Sequence, residues 1–360
     1  MFNNIIQFSS KAMLKKSFFS IFFLTTFFVN AQTKSVHSGG IKFVKTSLKN
    51  AFENAQKQNK PVFVEIYAIG CPHCENFKKT FDTNPNVGKY FNQKFVSYQV
   101  EVNSPEGREF RKKHNIYVLS TPMMSFWDKD ENLMHIQVSG DEQNNEKSLK
   151  DMADRAIDSA KNSASWKNYF KQGVRDDNFL IEYGYMSRMI CDTTGNIEAM
   201  NAFAEKQAST NFQNPINFLV LQKVVIDDEN PLFKHVVNNL ETYYAKYPKK
   251  DVVSTIENTV MYSLYSSRAN NFSLEKITEM KETLRKIGIE KQSIAGRFLL
   301  PETKVLFNTN QPEKAIDLID NFYKGVKSID KKDGEFIEKY VRGFTQDEAV
   351  LSKINWIYKR

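Results

Sequence analysis

The spacing of apolar residues divides the chain into three stretches. Residues 17–29 form an uncharged, Phe-rich run of thirteen. From residue 40 to about 160, short apolar runs alternate with segments whose apolar positions fall three or four apart, the pattern of strands and helices in turn. Residues 41–45 predict a short strand. In 47–58, Leu48, Phe52 and Ala55 share one helix face, and Ser47 is a candidate N-cap. Lys60-Pro61 breaks that helix, and 61–68 (PVFVEIYA) reads as a buried central strand, rich in β-branched and aromatic residues. A helix is predicted at 75–81, a strand at 94–102 and a short charged helix at 106–114. Residues 122–127 and 133–138 predict a hairpin across 128–132. Gly140 ends it, and 149–160 predicts a closing helix. From 163 to 360 no strand pair stands out. Helical segments at 178–190, 197–208, 215–225, 232–247, 252–266, 274–287, 297–307, 312–324 and 346–358 are joined by short polar links.

A length of 360 residues suits two domains. The pattern assigns an α/β domain to 32–162, a central mixed sheet flanked by helices, and an all-helical domain to 163–360. The second is either an irregular bundle or a helical repeat. Residues 308–318 (NTNQPEKAIDL) resemble the turn and second helix of a tetratricopeptide unit, but no fixed period recurs. Composition, 41% hydrophobic and 26% charged with little Gly and Pro, fits a folded globular protein and excludes a collagenous or disordered one.

The first stretch changes the picture of where the protein works. Lys11, Lys15 and Lys16 precede the apolar run, which is too short to span a bilayer. Val29-Asn30-Ala31 supplies a cleavage site before Gln32, so residues 1–31 read as a secretory signal peptide. Translation from Met13 would give the same leader. No Cys stands at the cut, so a lipid anchor is not expected, and the membrane is touched only through the leader. The implied address is the periplasm or cell envelope. Removing the leader's three lysines from the net charge of +8 leaves +5 over the rest. The densest basic stretch, 246–250 (KYPKK), reads as a solvated helix end, so nucleic-acid binding is not supported.

The cysteines are Cys71, Cys74 and Cys191, too few for a stapled fold. In an oxidising compartment a close pair persists as a disulfide. Cys71-Pro72-His73-Cys74 places two sulfurs three residues apart at a helix start. Free amides and the helix dipole there favour negative charge on Cys71, the attacking thiolate. Cys74, one turn in, is the resolving thiol. Pro72 offers no amide hydrogen and stiffens the turn. His73 can donate towards the thiolate and can carry positive charge. Both effects favour the reduced form, which makes the disulfide more oxidising. Glu65, six residues before Cys71, would take the proton of Cys74 if its side chain is buried; the alternation of the strand leaves its face open.

These residues resemble the thioredoxin superfamily. Lys60 to Cys74 (KPVFVEIYAIGCPHC) gives strand, short loop, Cys-X-X-Cys and helix; Thr121-Pro122 stands where that family places its cis-proline, and Gly140 at its later glycine. The resemblance covers about 120 residues. It implies a thioredoxin-like domain, a buried acid at Glu65, a substrate strand held by Thr121 and Pro122, and no organic cofactor. The Pro-His pair is shared with strong bacterial oxidants of the DsbA type, which implies a potential at the oxidising end. A departure is Ile69-Gly70 before the motif, where thioredoxins carry Trp, so the aromatic lid is missing.

Two functions follow. The first is an exported protein disulfide oxidoreductase exchanging the Cys71–Cys74 disulfide with protein thiols, served by an envelope redox partner. The second is an envelope scaffold whose helical domain recognises a partner, with the cysteine pair regulatory or vestigial. Cys71, His73 and Cys74 make a poor tetrahedral set, so no metal is expected. Cys191, in MSRMICD, reads as a buried free thiol on a helix. His114 and His135 read as structural.

Overall fold

The computed structural model describes residues 39–358; the leader at 1–31 lies outside them. Close contacts divide the chain into two compact units that meet between Cys191 and Asp192.

The first unit is built on α1 (Leu48–Gln58), β1 (Val62–Tyr67), α2 (Pro72–Thr83), α3 (Pro85–Lys94), β2 (Val96–Glu101), α4 (Pro105–Lys113), β3 (Met123–Trp127), β4 (Leu133–Val138), α5 (Glu146–Ile157), α6 (Trp166–Lys171) and α7 (Asp177–Met189). The strands lie in the order β2-β1-β3-β4. β1 runs parallel to β2, reached by the crossover through α2 and α3, and antiparallel to β3; β3 and β4 form the expected hairpin. This is a thioredoxin-like mixed sheet flanked by helices.

The two faces of β1 follow its alternation. Phe63 lies in a ring cluster with Phe43, Phe81, Phe91 and Phe126, at centroid distances of 5.0 to 6.4 Å, and is fully buried. Phe77 and Phe95 extend the cluster. It fastens α2 and α3 to the sheet, and so sets where the cysteine helix begins. Gly88 lets α3 approach the segment before α1: a Cβ there would meet the Gly39 carbonyl oxygen at 2.0 Å.

Three local expectations change. Residues 41–45 make an isolated bridge, Phe43 to Ser97, and no strand. Their amides are divided among Phe81, Asn92 and Ser97, so no ladder forms. Helix α3 was not expected. Its signals are a capping Asn84, which accepts from Asn86 and Val87, and Pro85 in the first turn. Because α3 runs to Lys94, β2 starts at Val96 instead of 94. Cys191 is exposed, past the end of α7 at φ 54°, and is not a buried helical thiol.

The first unit includes α6 and α7, which sequence pattern alone grouped with the later helices. His135 helps join them. It is buried, its Nε2 is 3.1 Å from Gln137, and its Nδ1 accepts from the Ser163 amide just before α6.

The second unit is helical throughout its described residues. It comprises α8 (Thr193–Lys206), α9 (Pro215–Lys223), α10 (Pro231–Asn238), α11 (Leu240–Lys246), α12 (Lys249–Leu264), α13 (Leu274–Lys286), α14 (Lys291–Asn308), α15 (Pro312–Lys324), α16 (Lys331–Arg342) and short helical turns to Tyr358. Asp227 and Asp228, both buried, bind Arg268 (2.8 Å to Asp227) and Lys276 (2.6 Å to Asp228). These pairs tie the link after α9 to the elements around α13. Among the described residues no helix is long and apolar enough to cross a membrane.

Truncating Phe63 to Ala removes the centre of the aromatic cluster and leaves a cavity. A loss of about 3–5 kcal/mol is expected, read as a lower unfolding midpoint of the first unit in denaturant titration of the intact chain.

Candidate functional site

Helix α2 starts on Cys71, which is its N-cap with extended backbone angles; Pro72 is in the first turn. Gly70, at φ 75°, turns the chain out of β1 into the helix, a conformation that favours glycine. Cys71 and Cys74 are joined as a disulfide with Cα atoms 5.3 Å apart. The Cys74 amide donates to Cys71 Sγ at 3.2 Å, so a negative charge on that sulfur would meet a helix N–H directly. Cys71 is half-buried, whereas Cys74 is only 4% exposed. The outer sulfur is the more reachable of the two.

The Thr121-Pro122 peptide is cis, and Cys71 Sγ lies 3.5 Å from the Thr121 carbonyl oxygen. The start of β3 and the mouth of α2 therefore meet at the sulfur. Pro122 is buried and its carbonyl accepts from the Ser139 amide at 3.2 Å. Ile69 is 83% exposed, and a Cβ on Gly70 would meet nothing within 4 Å. Where a Trp lid would stand, the surface is open.

Glu65 lies in the centre of the sheet, paired with Gln99 of β2 and Met124 of β3. It points to the same face as Phe63, and is 1% exposed. Gln99 Nε2 donates to its Oε2 at 2.7 Å, and its Oε1 is buried without a hydrogen bond. Burial pushes its carboxyl up to about 7, against the lowering effect of the Gln99 bond. An acid poised there can hold or accept a proton near neutral pH.

His73 is placed differently from the simple expectation of a ring turned to the thiolate. Its Nδ1 is 2.7 Å from Asp141 Oδ2, on the 3₁₀ turn Asp141–Gln143 after β4. Asn76 Nδ2 donates to the other oxygen of the same carboxylate at 3.1 Å. Asp141 and Asn76 were not legible as site residues. Nothing along the chain links position 141 to 73 until β4 returns beside β3.

Residues 44–129 match a family model described as thioredoxin-like, about a quarter of the chain. No curated protein matches the chain. Among solved structures, one described as a "putative disulphide-isomerase" from Bacteroides thetaiotaomicron is 24% identical, covers 33% of this chain and 94% of its own, and has a TM-score of 0.29. A thioredoxin from Thermus thermophilus is 20% identical over 33% of this chain and 90% of its own, with a TM-score of 0.28. A structure described as DsbH oxidoreductase is 13% identical over 35% and 96%, with a TM-score of 0.26. The class defined by topology and family match is a thioredoxin-like domain carrying a Cys-X-X-Cys disulfide, followed by a helical region.

The raised Glu65 carboxyl makes stability depend on pH. The unfolded chain ionises this group near 4.5, the folded one near 7, so folding binds a proton in between. Its contribution is complete below 4.5 and is lost as pH rises to about 7, on the order of 3 kcal/mol. His135, pushed down to about 4 by burial, acts in the opposite sense over pH 4 to 6.5. The useful observable is therefore the difference between the oxidised wild type and Glu65→Gln in urea unfolding. It should change by about 3 kcal/mol in favour of the variant between pH 4.5 and 8. A constant difference would mean that Glu65 is ionised throughout.

Proposed function

We propose that this protein is an exported thiol–disulfide oxidoreductase that exchanges the Cys71–Cys74 disulfide with protein thiols in the cell envelope. The observation that carries the proposal is the asymmetry of the pair. One sulfur is reachable, capped by a helix amide and beside the Thr121 carbonyl; the other is buried.

In the oxidising direction, a thiolate of a substrate dithiol attacks Cys71 Sγ. The Cys71–Cys74 bond breaks, a mixed disulfide to Cys71 forms, and Cys74 leaves as thiolate, protonated from Glu65. The second substrate thiolate attacks its own sulfur in the mixed disulfide and releases Cys71 as thiolate. Two electrons pass from the substrate to the protein, and one disulfide replaces the other. The reverse sequence reduces a substrate disulfide, with Cys74 resolving and Glu65 taking its proton. Helix-terminal amides stabilise the Cys71 thiolate in both directions. Thr121 and Pro122 line the approach to Cys71, so an extended substrate segment would seat there. Export is supported by the leader read in residues 1–31, and it supplies the oxidising compartment in which such a pair is useful.

The decisive variant is Cys74→Ser. Without the resolving thiol, discrete mixed disulfides should accumulate on Cys71 in envelope extracts and vanish on reduction. Cys71→Ser should trap none. Absence of adducts in Cys74→Ser, with partners still captured non-covalently, would favour the scaffold function instead.

A further inference from the structure

We propose that Ile69 is a specificity-determining residue: it offers the substrate segment an apolar contact beside Cys71, so that the protein exchanges most readily with thiols flanked by apolar side chains. This rests on the thiol-exchange function proposed above and names the class of substrate that suits the site.

The placement follows from a turn. The Cys71 amide donates to the Ala68 carbonyl at 3.3 Å, which closes a four-residue turn from Ala68 to Cys71. Gly70 is its third residue, and the φ of 75° there is the left-handed value that a type II turn requires. Ile69 is therefore the second residue, at the outer corner. Its Cα is no more than about 7 Å from that of Cys71, two peptide units away. At 83% exposure, Ile69 is the most exposed large apolar side chain among the described residues. Single exposed apolar residues are ordinary on a protein surface. This one stands in the turn that delivers the reachable sulfur.

Its surroundings have the same character. Two segments meet at Cys71 Sγ, residues 66–72 (IYAIGCP) and 115–127 (NIYVLSTPMMSFW), and neither carries a charged residue, in a chain that is 26% charged. On the second, Tyr117 is exposed, and Val118 and Leu119 are half-buried, on the way to Thr121. The Tyr117 amide donates to the Met189 carbonyl at 2.8 Å, which anchors the start of this loop. A substrate cysteine that attacks Cys71 Sγ brings its sequence neighbours with it, their Cα atoms about 3.8 Å from its own. An apolar neighbour can cover Ile69, so that both leave water; a polar neighbour gains nothing there and loses hydration. Cysteines with apolar neighbours are exposed chiefly before a protein has folded, since Cys and the aliphatic residues are among the most buried afterwards. The substrates that fit are therefore incompletely folded chains.

The test uses the full-length oxidised protein and two dithiol peptides that differ only in carrying Leu or Ser on both sides of each cysteine. One peptide thiolate attacks Cys71 Sγ, Cys74 leaves as thiolate, and the second peptide thiolate closes the peptide disulfide; the peptide is oxidised and the protein reduced. The second-order rate of this reduction is read by acid quenching and thiol alkylation, for wild type, Ile69→Ser and Ile69→Leu. The wild type should react about tenfold faster with the Leu peptide. That ratio should fall at least about threefold in Ile69→Ser and be kept in Ile69→Leu. Comparing ratios between variants cancels the intrinsic reactivity of the peptides. A wild-type ratio near one overturns the proposal. So does a ratio unchanged in Ile69→Ser, which would place the selectivity elsewhere. So does an equal slowing of both peptides in Ile69→Ser, which would mean that Ile69 only shapes the turn. Failure of dithiothreitol, which has no flanking side chain, to reduce the wild-type disulfide would instead overturn the oxidoreductase function, and this proposal with it. Ile69 lies at the surface, so neither substitution opens the core.

Discussion

The site depends on one contact: the mouth of α2, carrying Cys71, against the carbonyl that begins β3. A sulfur 3.5 Å from the Thr121 oxygen, with the Cys74 amide 3.2 Å behind it, is held between two pieces of backbone that belong to different parts of the sequence. Their meeting depends in turn on the Phe63 cluster, which fixes α2 on the sheet face, and on β1 running between β2 and β3. The placement of Cys71 is thus a consequence of core packing. The helix end supplies a field, the sheet supplies a wall, and the loop through Gly70 leaves the sulfur open to the outside.

In the centre of the sheet the protein keeps a carboxyl group in a place that suits a proton better than a charge. Glu65 could have been a solvent-facing strand residue, since alternation alone leaves either face possible. Pairing with Gln99 and Met124 puts it inside, and burial does the rest. The cost of an ionised group there is real, and a purely structural sheet would be more stable with an apolar residue. Its presence in the sheet is therefore not explained by stability alone.

Much of the first unit was legible because its signals are local. The hairpin at 123–138, the buried strand after Lys60-Pro61 and the Ser47 cap each carry their own residue pattern, and the structure places them accordingly. The Cys71–Cys74 pair and Pro122 were found through the order of landmarks along the chain. Failures came where partners are distant or competing. Residues 41–45 have strand-like composition but lose their amides to three separate acceptors. Helix α3 lies in a polar stretch, and its main local signal is the Asn84-Pro85 start. Cys191 sits just past a helix whose last turn is buried, and the left-handed backbone at Cys191 accompanies an exposed thiol. Asp141 was invisible for a deeper reason: its bond to His73 spans 68 positions. That bond also alters the meaning of the Pro-His motif. The His73 ring is engaged by a carboxylate from another part of the chain, so the motif's letters alone do not describe its surroundings.

The central claim is that Cys71 is the acidified, accessible sulfur and Cys74 the shielded one. Site-resolved alkylation of the reduced full-length protein across pH 4 to 10 tests it most directly. The account predicts that Cys71 reacts first, with a midpoint well below the ordinary thiol value of about 8.5, and that Cys74 reacts much more slowly at every pH. Equal rates at the two sulfurs, or a Cys71 midpoint at the ordinary value, would contradict it.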